Sequence, residues 1–362
     1  MTKINLAVIF GGKSGEHEIS LKSANQVISA LDKNKYNVIP IAITKNGQWL
    51  LGEIGNEYIQ KNLSLANKEG GITLEQSQAL VVSKEENRSI NNFYQGDTEG
   101  NKIDLVLPIG HGPQIEDGKL QGMLDMLGIP YVFSGTLASA LSMNKKKTKI
   151  IAKSAGLKIA KDIIILKNKK FNLEKIITKL ALPIVIKPSE LGSSVGISLA
   201  NSKEELEEGI EKALRHGNEI LLEQFIKGRE LTVAVMGDKN PKALPVVEII
   251  PQISGWFDYR AKYEVGGSKE VCPADIPDET RKKIQKYAVK IFKAIGCKDL
   301  ARADFIWDEK DSKLYFLEIN TIPGMTATSL APQAAAASGL SFPEFLDKLI
   351  SGALKRNGTN TK

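Results

Sequence analysis

The sequence predicts a mixed fold in which an α/β amino-terminal part is followed by α+β parts. Up to about Phe133, short apolar runs alternate with stretches of helical apolar spacing, which indicates a parallel sheet covered by helices. Further along, three β-prone runs follow one another without a helix: EILLEQFI, RELTVAVMG and KALPVVEIIP. Near the carboxyl end, ARADFIW and LYFLEIN flank the polar turn DEKDS, which predicts a hairpin.

Composition limits the possible functions. The 362-residue chain is 42% hydrophobic and 25% charged, which predicts a globular protein of two or three domains. Its net charge of +7 comes largely from scattered lysines and short runs, the pattern of solvated faces, so no nucleic-acid partner is expected. Cys272 and Cys297 have neither metal-ligand spacing nor a disulfide framework. The amino-terminal apolar run is too short for a signal peptide and no run could span a bilayer, so a cytoplasmic protein without membrane contact is expected.

The first strand and its loop offer one candidate site residue. INLAVIF predicts a buried strand, GGKSGEHEIS a loop, and SLKSANQVISAL a helix capped by Ser20. The GxGxxG pattern of a dinucleotide site is missing. Glu16 in this loop could hold a substrate ammonium, or it could simply favour the positive amino terminus of the helix. From the residues alone, the second interpretation is preferred.

The next strands continue the predicted parallel sheet. YNVIPIAI is a strand, residues 45–100 form a polar, irregular insertion, and IDLVLPIGHG is a buried strand that ends in Gly110, His111 and Gly112. Ligands of such sheets bind at the carboxyl ends of the strands, where Glu16 and His111 are expected to lie. IPYVFSG predicts a further short strand, and ASALSMNKKKTKIIAKSAG predicts one basic helix. Lys145 of this helix could reach a phosphate, although a solvated lysine is the commoner case.

A strand–loop–strand unit, LPIVIKPSELGSSVGISLA, indicates a nucleotide site. Lys187 lies in the apolar strand, where its charge is costly unless it is paired, and a nucleotide phosphate would be a natural partner. Ser193 and Ser194, between glycines, offer hydroxyl and N–H donors to such a phosphate. The loop lacks the GKS or GKT ending of a P-loop, and a hairpin with a flexible tip is the alternative. Glu223 and Glu230 flank the next connection and could hydrogen-bond a ribose.

Between residues 254 and 274, SGWFDYRAKYEVGGSKEVCPA is too polar and glycine-rich for a core segment, yet it carries several aromatic residues. This composition suits a mobile lid over a site. DETRKKIQKYAVKIFKAIG then predicts an amphipathic helix before the hairpin, and the terminal KRNGTNTK is expected to be disordered.

The hairpin carries the strongest candidate metal site. Because side chains alternate along a strand, Arg302 and Asp304 share one face of the first strand. Glu318 and Asn320 likewise share one face of the second. If the turn centres near Lys310, Arg302 lies roughly opposite Glu318 and the two faces coincide. Magnesium prefers such hard oxygen ligands, and a guanidinium suits a developing phosphate or oxyanion charge. An ordinary hairpin with an exposed charged face is the alternative.

A second anion site follows the hairpin directly. TIPGMTATSL turns the chain, and APQAAAASG predicts a helix that ends at Gly339. The backbone N–H groups near Ser329 and Leu330 would form the positive entrance of this helix, which suits a carboxylate or a phosphate. A metal cluster that leads into an anion site indicates a catalytic centre.

These segments occur in an order that resembles a known enzyme family. Nearly end to end, the chain is similar to the D-alanine–D-alanine ligases, which belong to the ATP-grasp superfamily. The similarity rests on nine blocks in order: GGKSGEHEIS, HGPQIEDGKLQG, SGTLASALSMNKKKTK, VIKPSELGSSVGIS, GRELTVAV, FDYRAKY, ARADF, LEINTIPGMT and SLAPQAAAASG.

The resemblance implies an ATP-grasp fold behind an amino-terminal parallel α/β domain. Residues 1–133 would form the amino-terminal domain with the first D-alanine site, residues 134–222 the central domain with the phosphate loop, and residues 223–362 the carboxyl-terminal domain with the lid and the magnesium site.

An activity is also implied by the resemblance: ATP-dependent joining of two D-alanine molecules through an acyl phosphate, for the peptidoglycan precursors on which cell-wall biogenesis and cell shape depend. ATP and two Mg²⁺ ions would be the cofactors, with Mn²⁺ as a substitute, and a homodimer the assembly. Within the family, the alternative is a ligase that joins D-alanine to D-lactate or D-serine, but Tyr263 in AKY favours the dipeptide product. An ATP-binding module without catalysis is the alternative from another class, and the intact hairpin set argues against it.

Position by position, the resemblance implies three groups of site residues. Those that would hold ATP are Lys145, Lys187, Ser194, Glu223, Glu230 and Lys262. Those that would hold magnesium are Asp304, Glu318 and Asn320. Those around the substrates are Glu16 for the first ammonium, His111 near the first substrate, Ser193 and Tyr263 in a set linked to Glu16, Arg302 and the N–H of Gly324 for the oxyanion, and Ser329 and Leu330 for the second carboxylate. For Glu16, this role replaces the interpretation from the residues alone.

Three positions depart from the family pattern. Ile115 and Phe133 stand where the family commonly has glycine, and Asn144 stands where it commonly has aspartate. None is an implied catalytic group, so the departures concern the local shape near His111 and at the entrance to the central domain.

Overall fold

The structure, a computed structural model, describes residues 3–66, 102–190, 196–253 and 266–358, whose strands form three sheets. Its strands are, in chain order, β1 Ile4–Gly11, β2 Tyr36–Ile43, β3 Trp49–Leu51, β4 Leu105–Pro108, β5 Lys158–Ile159, β6 Asp162–Leu166, β7 Ile184–Pro188, β8 Ser198–Ala200, β9 Glu219–Gln224, β10 Arg229–Gly237, β11 Lys242–Ala243, β12 Val247–Pro251, β13 Ser268–Val271, β14 Asp299–Asp308 and β15 Lys313–Asn320. Its helices are α1 His17–Ala30, α2 Glu53–Ala66, α3 Lys119–Leu127, α4 Thr136–Met143, α5 Lys145–Ser154, α6 Leu173–Leu180, α7 Lys203–Leu214, α8 Asp278–Ile295, α9 Leu330–Ala337 and α10 Phe342–Arg356.

The first sheet has the strand order β3–β2–β1–β4, in which β2, β1 and β4 are parallel, as the sequence predicts. Part of the segment predicted to be irregular is regular, because β3 pairs antiparallel with β2 and α2 packs on β2. The pattern was missed because α2 buries only a few apolar side chains, such as Tyr58 and Ile59, among many polar ones. Residues 67–101 lie outside the described part of the chain.

Ser20 does not cap α1, which begins three residues earlier at His17. The hydroxyl of Ser20 instead accepts a hydrogen bond from the Gly11 N–H at 2.7 Å and donates to the Ile109 carbonyl at 2.6 Å. Ser20 therefore ties the end of β1 to the loop after β4, which is where the candidate site begins.

The run IPYVFSG forms a single parallel bridge, between Tyr131 and Val106, rather than the predicted strand. Pro130 lacks an N–H group, and Phe133 leaves the extended region with a φ of 78°. That left-handed conformation accounts for the glycine expected at this position. Phe133 occupies it with a fully buried ring, and its N–H donates to a carboxylate oxygen of Asp299 at 2.8 Å.

The other two sheets are almost wholly antiparallel. One has the order β13–β12–β10–β14–β15–β5 with β11 beside β10, and the other has the order β6–β9–β7–β8. The mixed fold class is therefore confirmed. The division into domains stays a prediction; its limit at residues 222 and 223 falls inside β9, and β5 pairs with β15 across it.

The predicted basic helix is two helices, α4 and α5, which meet at Asn144. The side chain of Asn144 accepts from the Lys147 N–H at 2.9 Å and so caps α5, which a continuous helix would not allow. The first two residues of the tail expected to be disordered, Lys355 and Arg356, belong to α10, and residues 359–362 lie outside the described part of the chain. Within the described ranges, every helix is too short or too polar to cross a membrane.

Candidate active site

Glu16 is the residue before α1, and its side chain is buried. The loop that carries it is anchored by His17, whose Nδ1 lies 2.7 Å from the Gly12 carbonyl oxygen and whose Nε2 lies 3.1 Å from the Tyr58 hydroxyl. Burial lowers the pKa of His17, so the neutral ring donates from Nδ1 and accepts at Nε2. The carboxylate of Glu16 is thus held at the carboxyl end of β1.

Two more buried ionisable side chains, His111 and Glu116, join Glu16. Ligand atoms of the three lie within 4.8 Å of one another. Glu116 accepts from the Gly112 N–H at 2.5 Å, and its other oxygen lies 3.9 Å from Nδ1 of His111. Burial by itself would lower the pKa of His111, but the neighbouring carboxylates of Glu116 and Glu16 raise it. The Glu16 and Glu116 carboxylates suit the ammonium of an amino acid, and the His111 ring suits its carboxylate.

Glu116 is a residue that the sequence reasoning missed. It follows His111 by five positions in HGPQIEDG, so its place beside a candidate histidine was the available signal.

The hairpin of β14 and β15 has a register that differs from the predicted one: Arg302 pairs with Asn320, and Asp304 pairs with Glu318. Nearer the turn, Phe305 lies opposite Phe316. If this pairing continued without interruption, Asp304 would lie opposite Leu317. A β-bulge between Asp304 and Phe305 adds one residue to β15. Since a one-residue shift moves side chains to the opposite face, the bulge is what aligns Glu318 with Asp304.

Arg302 and Asp304 are buried and form a two-point ion pair. Nε of Arg302 donates to Oδ1 at 2.9 Å, and Nη2 donates to Oδ2 at 2.8 Å. Oδ1 also accepts from the Thr232 hydroxyl at 2.5 Å. This planar pairing fixes both side chains. The opposite strand adds the Glu318 carboxylate and the Asn320 carboxamide, an all-oxygen donor set that fits a hard cation such as Mg²⁺.

The predicted helix entrance is present: Ser329 immediately precedes α9, and Leu330 is its first residue. The Ser329 hydroxyl accepts from the Thr326 N–H at 3.1 Å. A Cβ on Gly324 would lie 2.9 Å from Oγ of Ser329, so glycine is what lets the backbone approach this closely. The entrance of α9 and the Gly324 backbone therefore share a site whose N–H groups favour an anion.

A cavity of ≈ 620 Å³ gathers these three parts of the site. Its lining includes residues from the loops after β1 and β4, from α5, from β14 and β15, and from the entrance of α9: Glu16, His111, Glu116, Lys145, Arg302, Glu318, Asn320, Gly324, Ser329 and Leu330. The residues predicted from the sequence include five of the seven ionisable side chains that line this cavity.

A smaller cavity of ≈ 130 Å³ is an apolar slot with a charged end. Its apolar lining includes Val185, Ile197, Phe225, Ile226 and Leu317, and its charged lining is Lys187, Glu223, Glu230, Asp304 and Glu318. Glu318 lines both cavities, so the slot adjoins the larger site at the hairpin.

The predicted lysines are buried beside carboxylates. Lys145 Nζ lies 3.6 Å from Oε2 of Glu318, and Lys187 forms an ion pair with Glu223. Burial by itself would lower the pKa of Lys187, but Glu223, Glu318 and Glu230 raise it above its ordinary value. Lys187 is therefore cationic at neutral pH, as phosphate binding requires.

Four predicted site residues lie outside the described part of the chain: Ser193, Ser194, Lys262 and Tyr263. Most of the predicted lid lies there as well.

Two of the three departures from the family pattern have a structural reason at the site. Ile115 is buried against two glycines: a Cβ on Gly110 would lie 2.3 Å from its Cδ1, and a Cβ on Gly12 3.1 Å. The side chain fills the space that these glycines leave. Asn144 caps α5 through its oxygen and donates from Nδ2 to Oε1 of Glu190 at 2.9 Å. An aspartate at this position could also cap α5, but its carboxylate would repel that of Glu190.

We therefore expect Asn144→Asp to raise the KM for ATP about fivefold, because two close carboxylates in a partly solvated site repel by about 1 kcal/mol. Glu190 directly precedes the predicted phosphate loop, so the repulsion acts where ATP is expected to bind. Steady-state kinetics with ATP varied will measure the change. Adding Glu190→Gln should restore the KM; a double variant as impaired as Asn144→Asp alone would show that repulsion is not the cause.

Comparison with known proteins gives a consistent result over nearly the whole chain. Residues 5–134 match the family model described as the D-ala D-ala ligase N-terminus, and residues 151–351 match that of the D-ala D-ala ligase C-terminus. A D-alanine–D-alanine ligase of Acetivibrio thermocellus is 40% identical over 370 residues, covering 99% of this chain and 98% of its own.

Solved structures agree. The VanG D-Ala:D-Ser ligase of Enterococcus faecalis is 36% identical, with a TM-score of 0.80 over 97% of this chain and 99% of its own. The D-alanine–D-alanine ligase of Bacillus anthracis complexed with ATP is 28% identical, with a TM-score of 0.72 over 98% of this chain and 99% of its own.

Proposed function

The chain belongs to the D-alanine–D-alanine ligase family, and from this premise we propose that it joins two D-alanine molecules to D-alanyl-D-alanine while converting ATP to ADP and phosphate. One observation supports this most: a single cavity of ≈ 620 Å³ holds an acidic pocket, an arginine among oxygen ligands, and a helix entrance. The ammonium of one amino acid, a phosphate, and the carboxylate of a second amino acid would each meet the opposite charge there.

ATP is proposed to lie across both cavities. Its base fits the apolar slot, and its phosphates reach the lysines Lys145 and Lys187 at the junction marked by Glu318. Asp304, Glu318 and Asn320 would hold Mg²⁺, which when bound offsets the charge of the phosphate oxygens. Mn²⁺ takes the same oxygen ligands and is the expected substitute.

Glu16, together with His111, is proposed to hold the first D-alanine so that its carboxylate oxygen attacks the terminal phosphorus of ATP. An acyl phosphate and ADP result. The carboxylate of the second D-alanine is held at Ser329 and Leu330. Its deprotonated amine then attacks the acyl carbon, and phosphate leaves with the proton that the nitrogen loses. Arg302 and the Gly324 N–H would stabilise the oxyanion that forms at that carbon. Positioning and charge compensation, rather than covalent chemistry by the protein, carry the reaction.

D-serine as the second substrate is the alternative that a specific observation favours, because the VanG structure that the chain resembles is a D-Ala:D-Ser ligase. D-lactate is the other alternative, and Tyr263 argues against it. The relatives named D-alanine–D-alanine ligase favour D-alanine.

The test is phosphate release from ATP and magnesium with D-alanine alone, then with D-serine or D-lactate added, and with products identified by mass. Phosphate matched by D-alanyl-D-alanine is the expected result, and L-alanine should give none. If the main product joins D-alanine to D-serine or to D-lactate, the proposed activity would be replaced by that of the corresponding ligase. Folded protein that binds ATP but releases no phosphate with any of these substrates would contradict it.

Several further statements remain predictions on this proposal. They are the link of Ser193 and Tyr263 to Glu16, the contacts of Ser194 and Lys262 with ATP, a homodimer, a cytoplasmic location, and a role in peptidoglycan precursor synthesis.

A further inference from the structure

A buried lysine outside both cavities, Lys149, takes part in the charge network of the slot. It lies on α5, one helical turn after Lys145, and only 3% of its side chain is exposed. Its ammonium forms an ion pair with Oε1 of Glu223, lies 3.5 Å from Asp162, and donates to the Ala160 carbonyl at 3.3 Å. A lysine is seldom buried this fully unless its charge has such partners.

Glu223 has its two carboxylate oxygens divided between two lysines. Oε1 faces Lys149, and Oε2 faces Lys187. The carboxylate is 5% exposed and lines the slot, as Lys187 does, whereas Lys149 does not. Burial by itself would raise the pKa of Glu223, but Lys187 and Lys149 hold it below its ordinary range.

Without Lys149, the charge of Glu223 would be compensated by Lys187 alone. That lysine also lies in the field of Glu318 and Glu230, and on the proposed function it serves the phosphates of ATP. A single cation cannot offset a buried carboxylate fully and still attract a phosphate fully.

We infer that Lys149 is a positioning residue for nucleotide binding, which holds and neutralises Glu223 so that Lys187 remains available to ATP. The inference rests on the proposed function and extends it to a side chain that touches no substrate.

Lys149→Met removes the ammonium and keeps an unbranched apolar side chain. We expect the Kd for ATP, measured by calorimetry without D-alanine, to rise about 30-fold, as for truncating one partner of a buried charge pair. The KM for ATP should rise in parallel, while kcat at saturating ATP and the KM for D-alanine stay within about threefold. Lys149→Arg keeps the cation and should recover most of the affinity. Lys153→Met, an exposed lysine on the same helix, should leave ATP binding unchanged.

The decisive measurement is the double variant Lys149→Met/Glu223→Gln. If Lys149 acts through the charge of Glu223, the double variant should bind ATP within about threefold of Glu223→Gln alone, since the charge to be held is absent. A further tenfold loss in the double variant would overturn the inference, because Lys149 would then act by packing or by touching ATP.

Protein stability is separated from this result by the same pair. If Lys149→Met does not fold, the double variant must still fold and bind ATP like Glu223→Gln, because it buries no unpaired carboxylate at residue 223. If the double variant also fails to fold, the inference is overturned. Failure of the proposed function would look different: the wild-type protein would bind ATP in calorimetry and yet form no product.

Discussion

Replacement of Arg302 by alanine should lower kcat about 10²–10³-fold, the usual cost of removing one donor to a developing oxyanion. Two features of the structure lead to this expectation. Arg302 lines the large cavity beside Gly324, and it holds Asp304 through two parallel hydrogen bonds of 2.9 and 2.8 Å. Its loss would remove the charge from the reaction centre and release a proposed magnesium ligand. Phosphate release with D-alanine at saturating ATP and magnesium will measure kcat.

Two variants control this experiment. Arg302→Lys keeps the charge but cannot make the two-point pair with Asp304, so it should recover only part of the rate. Arg229 makes the same kind of pair with Glu248 on the same sheet, with both distances 2.6 Å, and lines neither cavity. Arg229→Ala should therefore keep kcat within about threefold. A folded Arg302→Ala protein with kcat within tenfold of the wild type would contradict the proposed role.

Replacement of Arg356 by glutamine should have the largest effect on stability, about 3 kcal/mol at about pH 8, because it leaves the buried Asp299 without its cation. Arg356 pairs with one carboxylate oxygen of Asp299 and donates to the Tyr131 carbonyl at 2.8 Å. The other oxygen accepts from the Phe133 N–H. This cluster joins the end of α10, the segment after the first sheet, and the first residue of β14.

The effect should depend on pH in a defined direction. Burial raises the pKa of Asp299 to about 6, although Arg356 and the Phe133 N–H oppose this. The folded state therefore binds the proton more tightly than the unfolded state, and the stability contributed by this group falls as pH rises from about 4 to about 6. Loss of Arg356 raises the pKa further, so the variant continues to lose stability above pH 6. The stability gap between the two proteins should be small at about pH 5 and large at about pH 8.

Urea unfolding of both proteins at the two pH values measures this gap. Arg281→Gln is the matched control, because Arg281 pairs with the exposed Asp278, and its unfolding midpoint should follow that of the wild type at both pH values. An equal gap at both pH values would show that the charge of Asp299 is not what Arg356 compensates.

Local patterns carried much of the prediction. The parallel strands β1, β2 and β4, the strand–loop–strand unit of β7 and β8, and the helix entrance at Ser329 each follow from residues that are close in sequence. The periodicity of apolar residues and the glycines that end strands and helices indicate such features directly. Residue patterns pointed to Lys187 and Arg302, the family blocks decided the role expected of Glu16, and the structure places all three at its two cavities.

Two of the errors have a common origin in contacts between distant segments. Ser20 reads as a cap because serine caps many helices, but its hydroxyl is taken by Gly11 and Ile109. The basic run of α5 reads as a solvated face, but two of its lysines are buried against carboxylates of other strands. The partners of Ser20 and of these lysines cannot be identified from spacing, because neighbouring residues in the sequence do not determine which distant polar group a side chain contacts.

The sequence by itself determined the fold class, the family and the types of residue at the site, because each is encoded in local pattern or in ordered blocks. Only the tertiary structure decided three things: the bulge that aligns Glu318 with Asp304, the place of Glu116 beside His111, and the sharing of Glu223 between Lys149 and Lys187. The first is a hairpin register, the second is a loop conformation that also brings the pair to the distant Glu16, and the third is a contact between segments far apart in the chain. Such a contact is set by how the sheets pack and by the cost of leaving a buried charge unpaired.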